Sequence, residues 1–290
     1  MSIIGLSNDK ISISVNTHGA EFVSVVRKDT DKELMWCGDS RYWGRVSPVL
    51  FPFVGKLEQQ RYVWKGNVYE NIPQHGFARD SEFTLVEQLP DTLWFELIKD
   101  EKWSQNYPFD FRLRIGYRLE GSFIHVMWTV INEGDDELFF SIGAHPAFSC
   151  EEGLNDYELD LHTNKSEIEC GVLTCNGVLS SKTLTHKLEN GVLKLTDKMF
   201  DDDALIIDGK GINTITLEKR NGEKLLQLKF DAPQIGIWSP AKLKAPFVCI
   251  EPWFGRCDKE GFDGDLSMRE YSNSLMGGHS FNKEYVIEVL

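Results

Sequence analysis

The feature that most constrains this chain is a strict alternation of apolar and polar residues over positions 109–119. One set of alternate positions is entirely apolar: Phe109, Phe111, Leu113, Ile115, Tyr117 and Leu119. The other set holds three charged arginines, an aspartate and a glycine: Asp110, Arg112, Arg114, Gly116 and Arg118. Side chains of a β-strand point alternately to the two faces of a sheet, so this period of two predicts a half-buried antiparallel strand.

A second alternating run follows directly and predicts a hairpin. Glu120-Gly121-Ser122 reads as a turn, and the next apolar set is Ile124, Val126, Trp128 and Val130. Further strands are predicted at 11–16, 92–98, 138–142, 225–230 and 285–290. The Asn-Gly pairs at 190–191 and 221–222 are strong signals for hairpin turns.

The remaining pattern predicts a single all-β domain over residues 1–290. No amphipathic helix longer than about three turns is evident, and no linker rich in Pro, Gly or Ser divides the chain. Strand follows strand without a boundary, which favours one large antiparallel β-sandwich with few short helices.

Composition excludes several classes of partner. The net charge is -14, whereas binding to a phosphate backbone needs clustered Lys and Arg, so no nucleic-acid or membrane partner is expected. The six cysteines include no CxxC pair, which argues against a structural zinc site and favours reduced thiols. The start of the sequence lacks the basic and apolar segments of a signal peptide. We therefore expect a soluble, cytoplasmic protein.

Three stretches break the alternation: 72–83, 141–148 and 247–255. The second contains His145 and the third contains Glu251, and each of these residues precedes a proline. Since proline lacks a backbone donor, we expect both residues to stand at strand ends, where a sheet opens into a cleft. Either residue alone suits a structural role, but together they supply an acid and a base. Gly143 and Ala144 are expected to leave room for a ligand beside His145.

Other chemistries have weaker support in the sequence. His75, His145 and Glu251 could form a metal site of two histidines and one carboxylate, but no local motif marks them as ligands. The chain lacks the GxSxG elbow of an α/β-hydrolase, and it has neither a GxGxxG motif nor a P-loop.

Six stretches also carry a family resemblance that runs through essentially the whole chain. They are 47–57 (SPVLFPFVGKL), 73–83 (PQHGFARDSEF), 107–119 (YPFDFRLRIGYRL), 142–148 (IGAHPAF), 199–207 (MFDDDALII) and 249–255 (CIEPWFG). In this order they resemble the aldose 1-epimerase (mutarotase) family, and most of all its lactose-operon protein X branch. The resemblance implies the large galactose mutarotase-like β-sandwich, and interconversion of the α and β anomers of free sugars without a cofactor.

The resemblance also implies roles for individual residues. His145 would be the general acid, Glu251 the general base, and His75 a second catalytic histidine that bonds the ring oxygen or a neighbouring hydroxyl. A nearby Glu251 is expected to raise the pKa of His145.

Substrate binding is implied for a further set of residues. Asp203 matches the sugar-binding aspartate of the family, although the neighbouring Asp201 and Asp202 leave the register open. Lys56 stands where many members have arginine, which keeps the charge but loses the bidentate fork. The remaining residues implied to line the pocket are Arg79, Trp253 and Phe77.

Three functions remain open at this point. The leading one is an epimerase acting on a neutral aldose, with a small-molecule sugar as its partner and a monomer or homodimer as its assembly. The second is a carbohydrate-binding β-sandwich without turnover. The third is an epimerase for a hexose 6-phosphate, for which Arg45, Lys56 and Arg79 are the candidate cations.

Overall fold

The computed structural model describes residues 2–290, and strands dominate it. In chain order the strands are β1 (Ile3–Ser7), β2 (Ile11–Asn16), β3 (Glu21–Arg27), β4 (Lys32–Glu33), β5 (Val49–Leu50), β6 (Tyr62–Trp64), β7 (Asn67–Tyr69), β8 (Thr84–Gln88), β9 (Thr92–Ile98), β10 (Phe111–Glu120), β11 (Phe123–Asn132), β12 (Leu138–Phe140), β13 (Ile142–Ala144), β14 (Ala147–Ser149), β15 (Tyr157–Asp160), β16 (Glu167–Leu173), β17 (Leu179–Lys187), β18 (Val192–Lys194), β19 (Leu205–Asp208), β20 (Thr214–Lys219), β21 (Lys224–Phe230), β22 (Gln234–Trp238), β23 (Phe247–Phe254), β24 (Asn273–Leu275) and β25 (Ser280–Val289).

Helical structure in the same range is sparse. One α-helix, α1, spans Glu101–Ser104. Short 3-10 segments lie at Glu58–Gln60, Ala78–Asp80, Leu154–Asp156, Asp197–Phe200 and Leu266–Met268. Within residues 2–290 no helix has the length and apolar character needed to cross a membrane.

Two large sheets organise the fold. One has nine strands in the order β18-β15-β20-β21-β25-β11-β10-β9-β8. The other has eight: β17-β16-β19-β22-β23-β13-β5, with β14 also pairing β23. Neighbouring strands in both sheets are antiparallel. A four-stranded sheet of β1–β4 and two small two-stranded sheets complete the described chain.

The predicted hairpin is confirmed. Strands β10 and β11 pair from Phe111↔Asn132 to Glu120↔Phe123, so Gly121 and Ser122 form the turn. The apolar positions of β10 are buried, and Arg112 and Arg114 on the opposite face both contact the Glu96 carboxylate of β9, at 2.9 and 2.8 Å. The charged side of the alternation thus forms a ladder of cross-strand ion pairs.

The apolar faces of the two large sheets pack against each other. Trp128 of β11 meets Phe254 of β23 edge to face, with ring centroids 6.2 Å apart. Phe111 of β10 packs on Phe51, the residue after β5, at 5.2 Å. The main buried cluster draws side chains from both sheets. The expected all-β sandwich is therefore the architecture of the chain.

One local expectation was wrong, and a second was confirmed as a turn but not as a hairpin within one sheet. The run 138–142 is not one strand: it divides at Ser141, whose N–H donates to the Pro52 carbonyl instead of continuing a ladder, so β12 and β13 join different sheets. The Asn190-Gly191 pair makes a tight turn closed by a bridge between Glu189 and Val192, but it leads from β17 in one large sheet to β18 in the other. A turn signal specifies the local reversal of the chain, and tertiary packing decides which sheets the two strands join.

Candidate active site

A cavity of about 450 Å³ lies on the eight-stranded sheet, and it falls within the usual size range of small-molecule sites. Of the residues proposed from the sequence, it brings together His75, His145, Glu251, Lys56, Arg79, Asp203 and Trp253. These side chains come from the loops between β5 and β8, the residue after β13, strand β23 and the segment before β19. Residues that lie far apart in the sequence thus meet in one place.

His145 stands where expected, in the break between β13 and β14. Its ring is stacked on Trp43, with centroids 4.8 Å apart, and meets Trp238 edge to face at 5.4 Å. These two aromatic contacts fix the orientation of the imidazole on a rigid backbone.

Gly143 has a different role from the one expected. A Cβ at this position would lie 2.7 Å from Cδ1 of Trp253, so the glycine makes room for the indole and not for a ligand. Trp253 in turn forms part of the cavity wall.

Glu251 departs from its expected position, because it lies inside a strand. All eight residues of β23 are buried, and Pro252 sits within the strand opposite Ile235 of β22. The N–H of Ile250 donates to Pro146, so the backbone of residue 252, two positions on, faces the same neighbour. By the register of β13 that neighbour is Ala144, the last residue before the break at His145-Pro146, so the missing donor of Pro252 falls where the regular pairing of β13 with β23 ends.

The two central side chains are close neighbours. Nε2 of His145 lies 3.4 Å from Oε2 of Glu251, and the two residues are 7% and 1% exposed. Burial raises the pKa of Glu251 well above its ordinary value; the indole of Trp253 opposes this shift and the charge of Asp203 adds to it. Burial, assisted by Arg79, lowers the pKa of His145 to about 3. The expectation that Glu251 raises the pKa of His145 is therefore wrong, because desolvation of the imidazole dominates.

His75 approaches the pair from the loop before β8. Its ring lies edge-on to His145, with centroids 5.7 Å apart. Nδ1 accepts a hydrogen bond from the Gly55 N–H at 3.1 Å, so the proton of the neutral ring is on Nε2. Nε2 lies 3.2 Å from the end of the Gln74 amide, which accepts this proton when its oxygen is turned toward the ring. Burial, with the nearby Arg79, lowers the pKa of His75 well below its ordinary value. The ring is thus a neutral donor.

The backbone at His75 has a left-handed conformation, with φ +65°. It is held there because the His75 N–H donates to the Gly55 carbonyl and the Phe51 N–H donates to the His75 carbonyl. Gly76 follows at φ +69°, and any Cβ there would overlap the Phe51 carbonyl. Unusual backbone at a non-glycine residue is typical of functional sites.

Three cations surround the cavity. Nη2 of Arg79 donates to the Gln74 carbonyl at 2.7 Å, while its buried Nε has no hydrogen-bond partner among residues 2–290 and lies 3.7 Å from Oδ2 of Asp80. Burial and the neighbouring Arg45 lower the pKa of Arg79 to about 10. Arg45 pairs with Asp80 at 2.7 Å. For Lys56, no ion pair occurs within the described part of the chain.

Asp203 is the member of the acidic triplet that faces the cavity. Neither Asp201 nor Asp202 contributes to the lining. Asp203 adopts φ +78°, and its Oδ1 accepts from the Ala204 N–H at 2.8 Å. This conformation is rare for residues other than glycine but tolerated by aspartate, and it singles out one of three adjacent carboxylates.

The structure corrects the predicted position of Phe77. It lies outside the cavity, 3% exposed in the main core, where its ring stacks on Trp103 at 4.6 Å and packs against Phe51. Its position next to Gly76 in the sequence suggested the pocket, but an apolar ring next to a turn is better accommodated in the core.

Several residues that line the cavity were not predicted from the sequence. Trp43, Gln74 and Trp238 border the cavity, as do Thr174 and Cys175 in the loop between β16 and β17. Trp238 pairs with Cys249, two residues before Glu251, so knowledge of the β22–β23 register would have placed it on the same face. Trp43 and the 174–175 loop carry no comparable signal.

The site also bears on metal binding. Within residues 2–290, one group of three histidine, cysteine or acidic residues has its ligand atoms within 4.8 Å of one another, and it consists of His145, Cys249 and Glu251. The triad of His75, His145 and Glu251 that the sequence left open does not form such a group.

The β-sandwich carries this cavity with a buried histidine–glutamate pair, and a sequence model of the aldose 1-epimerase family matches residues 2–261. The chain belongs to the aldose 1-epimerase family. It is 33% identical over 267 residues to the chromosomal Protein LacX of Lactococcus lactis subsp. lactis, with 87% of each chain covered.

Solved structures of galactose mutarotase-like proteins have the same fold as this chain. A galactose mutarotase related enzyme from Lactobacillus acidophilus is 31% identical and superimposes with a TM-score of 0.93, covering 100% of this chain and 97% of its own. A galactose mutarotase-like protein from Lactobacillus casei is 27% identical, with the same TM-score and full coverage of both chains.

Proposed function

We propose that this protein is an aldose 1-epimerase that interconverts the α and β anomers of an aldose by acid–base-catalysed ring opening. The observation that carries the proposal is the 3.4 Å separation of His145 Nε2 and Glu251 Oε2 at the cavity floor. The two oxygens that exchange protons in this reaction, O1 and the ring oxygen, are bonded to the same carbon. A donor and an acceptor that serve both must therefore be near neighbours, as this pair is.

The reaction then proceeds as follows. The Glu251 carboxylate takes the proton of the O1 hydroxyl, the electron pair of that bond forms the C1 carbonyl, and the bond from C1 to the ring oxygen breaks. The His145 imidazolium protonates the released ring oxygen. After rotation about C1–C2, the hydroxyl attacks the other face of the carbonyl and both protons return. Atoms and electrons balance without a redox step.

The pair must hold one proton for this chemistry. Burial favours the neutral arrangement, with the proton on Glu251, since it raises the pKa of the carboxyl and lowers that of the imidazole. The ion-pair arrangement carries the same single proton on His145. We infer that a bound sugar, whose O1 hydroxyl donates to the carboxylate, favours this second arrangement.

Other residues of the cavity would hold the sugar. The Nε2–H of His75 can donate to the ring oxygen or an adjacent hydroxyl, and the Asp203 carboxylate can accept from hydroxyls. The Trp253 indole offers an apolar wall to the C–H face of the ring. A relative of this chain is described as a galactose mutarotase related enzyme, which makes galactose the first neutral sugar to test.

A second candidate substrate has an observation in its favour. Lys56 lacks an ion-pair partner in the described chain, and the buried Arg79 Nε lacks a hydrogen-bond partner. Arg45 lies beside them. The chain as a whole has a net charge of -14, so the cationic lining of the cavity is opposite in sign to the overall electrostatic field. Such a lining suits an anionic group such as a 6-phosphate.

Exchange spectroscopy by NMR on glucose, galactose and their 6-phosphates tests these proposals. We expect exchange between anomers to exceed the buffer rate for at least one sugar, and Glu251→Gln and His145→Asn each to lower that rate by about 10²-fold or more. A Lys56→Met variant separates the substrates, since it should raise KM for a phosphorylated sugar far more than for a neutral one. Saturable sugar binding by calorimetry without any exchange would instead indicate the non-catalytic carbohydrate-binding protein.

A further inference from the structure

A third group meets the proposed acid–base pair, and the sugar chemistry gives it no role. Cys249 lies beside His145 and Glu251, and the candidate ligand atoms of the three residues lie within 4.8 Å of one another. All three side chains are buried, with Cys249 at 0% exposure. A nitrogen, a sulfur and an oxygen ligand form a set that zinc accepts, whereas magnesium and calcium prefer oxygen ligands alone.

The backbone holds these three residues in place. Cys249 and Glu251 are two positions apart on β23, so their side chains leave the same face of the sheet. Cys249 pairs with Ala147 of β14, which follows His145 by two residues. Two of the three ligands therefore lie on a paired strand, and the third lies on the two-residue link between two paired strands, which is a more rigid support than a long loop.

Polar atoms of the cluster lack partners. Nδ1 of His145 and Oε2 of Glu251 are buried, and neither has a hydrogen-bond partner among the described residues. Unsatisfied buried polar atoms are costly, and a cation bound between His145 Nε2 and Glu251 Oε2, which lie 3.4 Å apart, would satisfy the carboxylate oxygen. His145 and Glu251 also border the cavity, which gives an ion a path from solvent.

We propose that His145, Cys249 and Glu251 form a zinc-binding site whose occupancy switches the epimerase off. Zinc bonds are about 2.0–2.3 Å long, so binding one ion requires the three ligand atoms to lie closer together than 4.8 Å. Small rotations of the three side chains would provide this approach. Three protein ligands leave the fourth tetrahedral position on the cavity side. The zinc site stands on this geometry alone, and only its inhibitory effect rests on the proposed function.

Calorimetry tests the site directly. Chelator-treated protein in a phosphine reductant, which keeps thiols reduced without adding thiol ligands, is titrated with Zn²⁺. We expect one ion per chain, and Cys249→Ser should weaken binding by at least about tenfold. The matched control is Cys257→Ser, because Cys257 is a second buried cysteine and borders the same cavity. Absence of saturable binding, or equal affinity in the Cys249→Ser variant, overturns the site.

Cobalt gives a spectroscopic check of the ligand set. Co²⁺ bound by a thiolate shows a sulfur-to-metal charge-transfer band in the near ultraviolet, so the parent and Cys257→Ser should show the band and Cys249→Ser should lack it. A band that persists in Cys249→Ser but disappears in Cys257→Ser assigns the ion elsewhere and overturns the proposal.

Inhibition is measured separately as anomer exchange, with each variant compared with its own rate in EDTA. Zinc should abolish exchange by the parent, and about tenfold more zinc should be required for Cys249→Ser. If the metal-free parent shows no exchange, the proposed function fails while the calorimetric result still decides the site. If zinc binds through Cys249 and exchange continues, the inhibitory role is overturned.

Discussion

The ring of Trp253 lies over Gly236, in the space that a side chain at position 236 would occupy. Gly236 is the register partner of Glu251 on the neighbouring strand β22. The same indole also covers Gly143 of β13. Glycines on two strands thus allow a large ring to lie close to the sheet, and this keeps the cavity beside Glu251 open.

Replacing Gly236 by alanine should therefore lift Trp253 into the cavity. The backbone of Gly236 does not have a positive φ, so alanine brings steric overlap rather than conformational strain. Overpacking of this kind costs about 1–3 kcal/mol of unfolding free energy. Because the displaced ring narrows the sugar site, we expect kcat/KM for anomer exchange to fall by about tenfold or more. Denaturant unfolding and NMR exchange measure the two effects.

The control is Gly116→Ala. Gly116 lies under Trp94 in the nine-stranded sheet, and a Cβ there would come within 2.8 Å of that ring. This variant introduces the same kind of overlap away from the cavity, so it should lower stability and leave KM for the sugar unchanged. Equal losses of kcat/KM in both variants would show that the effect is general destabilisation.

The Glu251 carboxyl should cost the protein stability at neutral pH. Burial raises its folded-state pKa well above the ordinary value of about 4.5, so the unfolded chain loses this proton at a lower pH than the folded chain does. Stability from this group is therefore lost as pH rises above about 4.5. We expect Glu251→Gln to raise the unfolding free energy by about 1–3 kcal/mol at pH 7 while activity is lost.

The internal control for that variant is pH itself. At pH 4 the carboxyl is protonated in both the folded and the unfolded chain, so the advantage of glutamine should disappear. Urea unfolding of both proteins at the two pH values decides the matter, and an equal advantage at pH 4 would indicate better packing instead.

The two buried histidines should lower the stability of the protein as pH falls, whereas Glu251 lowers it as pH rises. Burial lowers the pKa of His145 to about 3 and that of His75 well below 6.5. Between the unfolded and folded values only the unfolded chain binds these protons, so stability falls as pH drops below about 6.5; for His145 the loss is about 2 kcal/mol on reaching pH 5. NMR of ring-labelled, metal-free protein should show the His145 imidazole neutral at pH 5.5. Titration of the His145 ring near pH 6.5 would contradict this expectation.

The alternation of apolar and polar residues predicted those parts of the fold in which the same alternating pattern holds at every position. The β10–β11 hairpin follows from alternation alone, because a shift of one residue would expose the apolar set that includes Leu113 and Ile115. The break at Ser141 was not predictable in this way, since the Pro52 carbonyl that accepts from its N–H lies far away in the sequence.

The candidate site was also predictable only in part, because local signals mark single residues and do not show which residues lie close together. Local signals, a proline after His145 and after Glu251, marked both residues, and the family resemblance assigned their roles. Their proximity, however, depends on the pairing of β13 and β14 with β23. The place of Cys249 beside them and the burial of Phe77 also depend on this tertiary arrangement. The shift in the pKa of His145 depends on desolvation, which the assembled fold determines.

Asp203 offers the sharpest test of how the sugar is bound, because two matched controls adjoin it. Asp203→Asn removes the charge but keeps the size, and asparagine tolerates the φ of +78° found there. Hydrogen bonds to a charged acceptor contribute about 1.5–3 kcal/mol, so we expect kcat/KM to fall by about 10–100-fold. Asp201→Asn and Asp202→Asn remove the same charge outside the cavity lining and should leave kcat/KM within about twofold of the parent. Steady-state anomer exchange on all three variants provides the comparison. A loss shared equally by the three would show that the acidic triplet acts through its overall field and not through a contact made by Asp203.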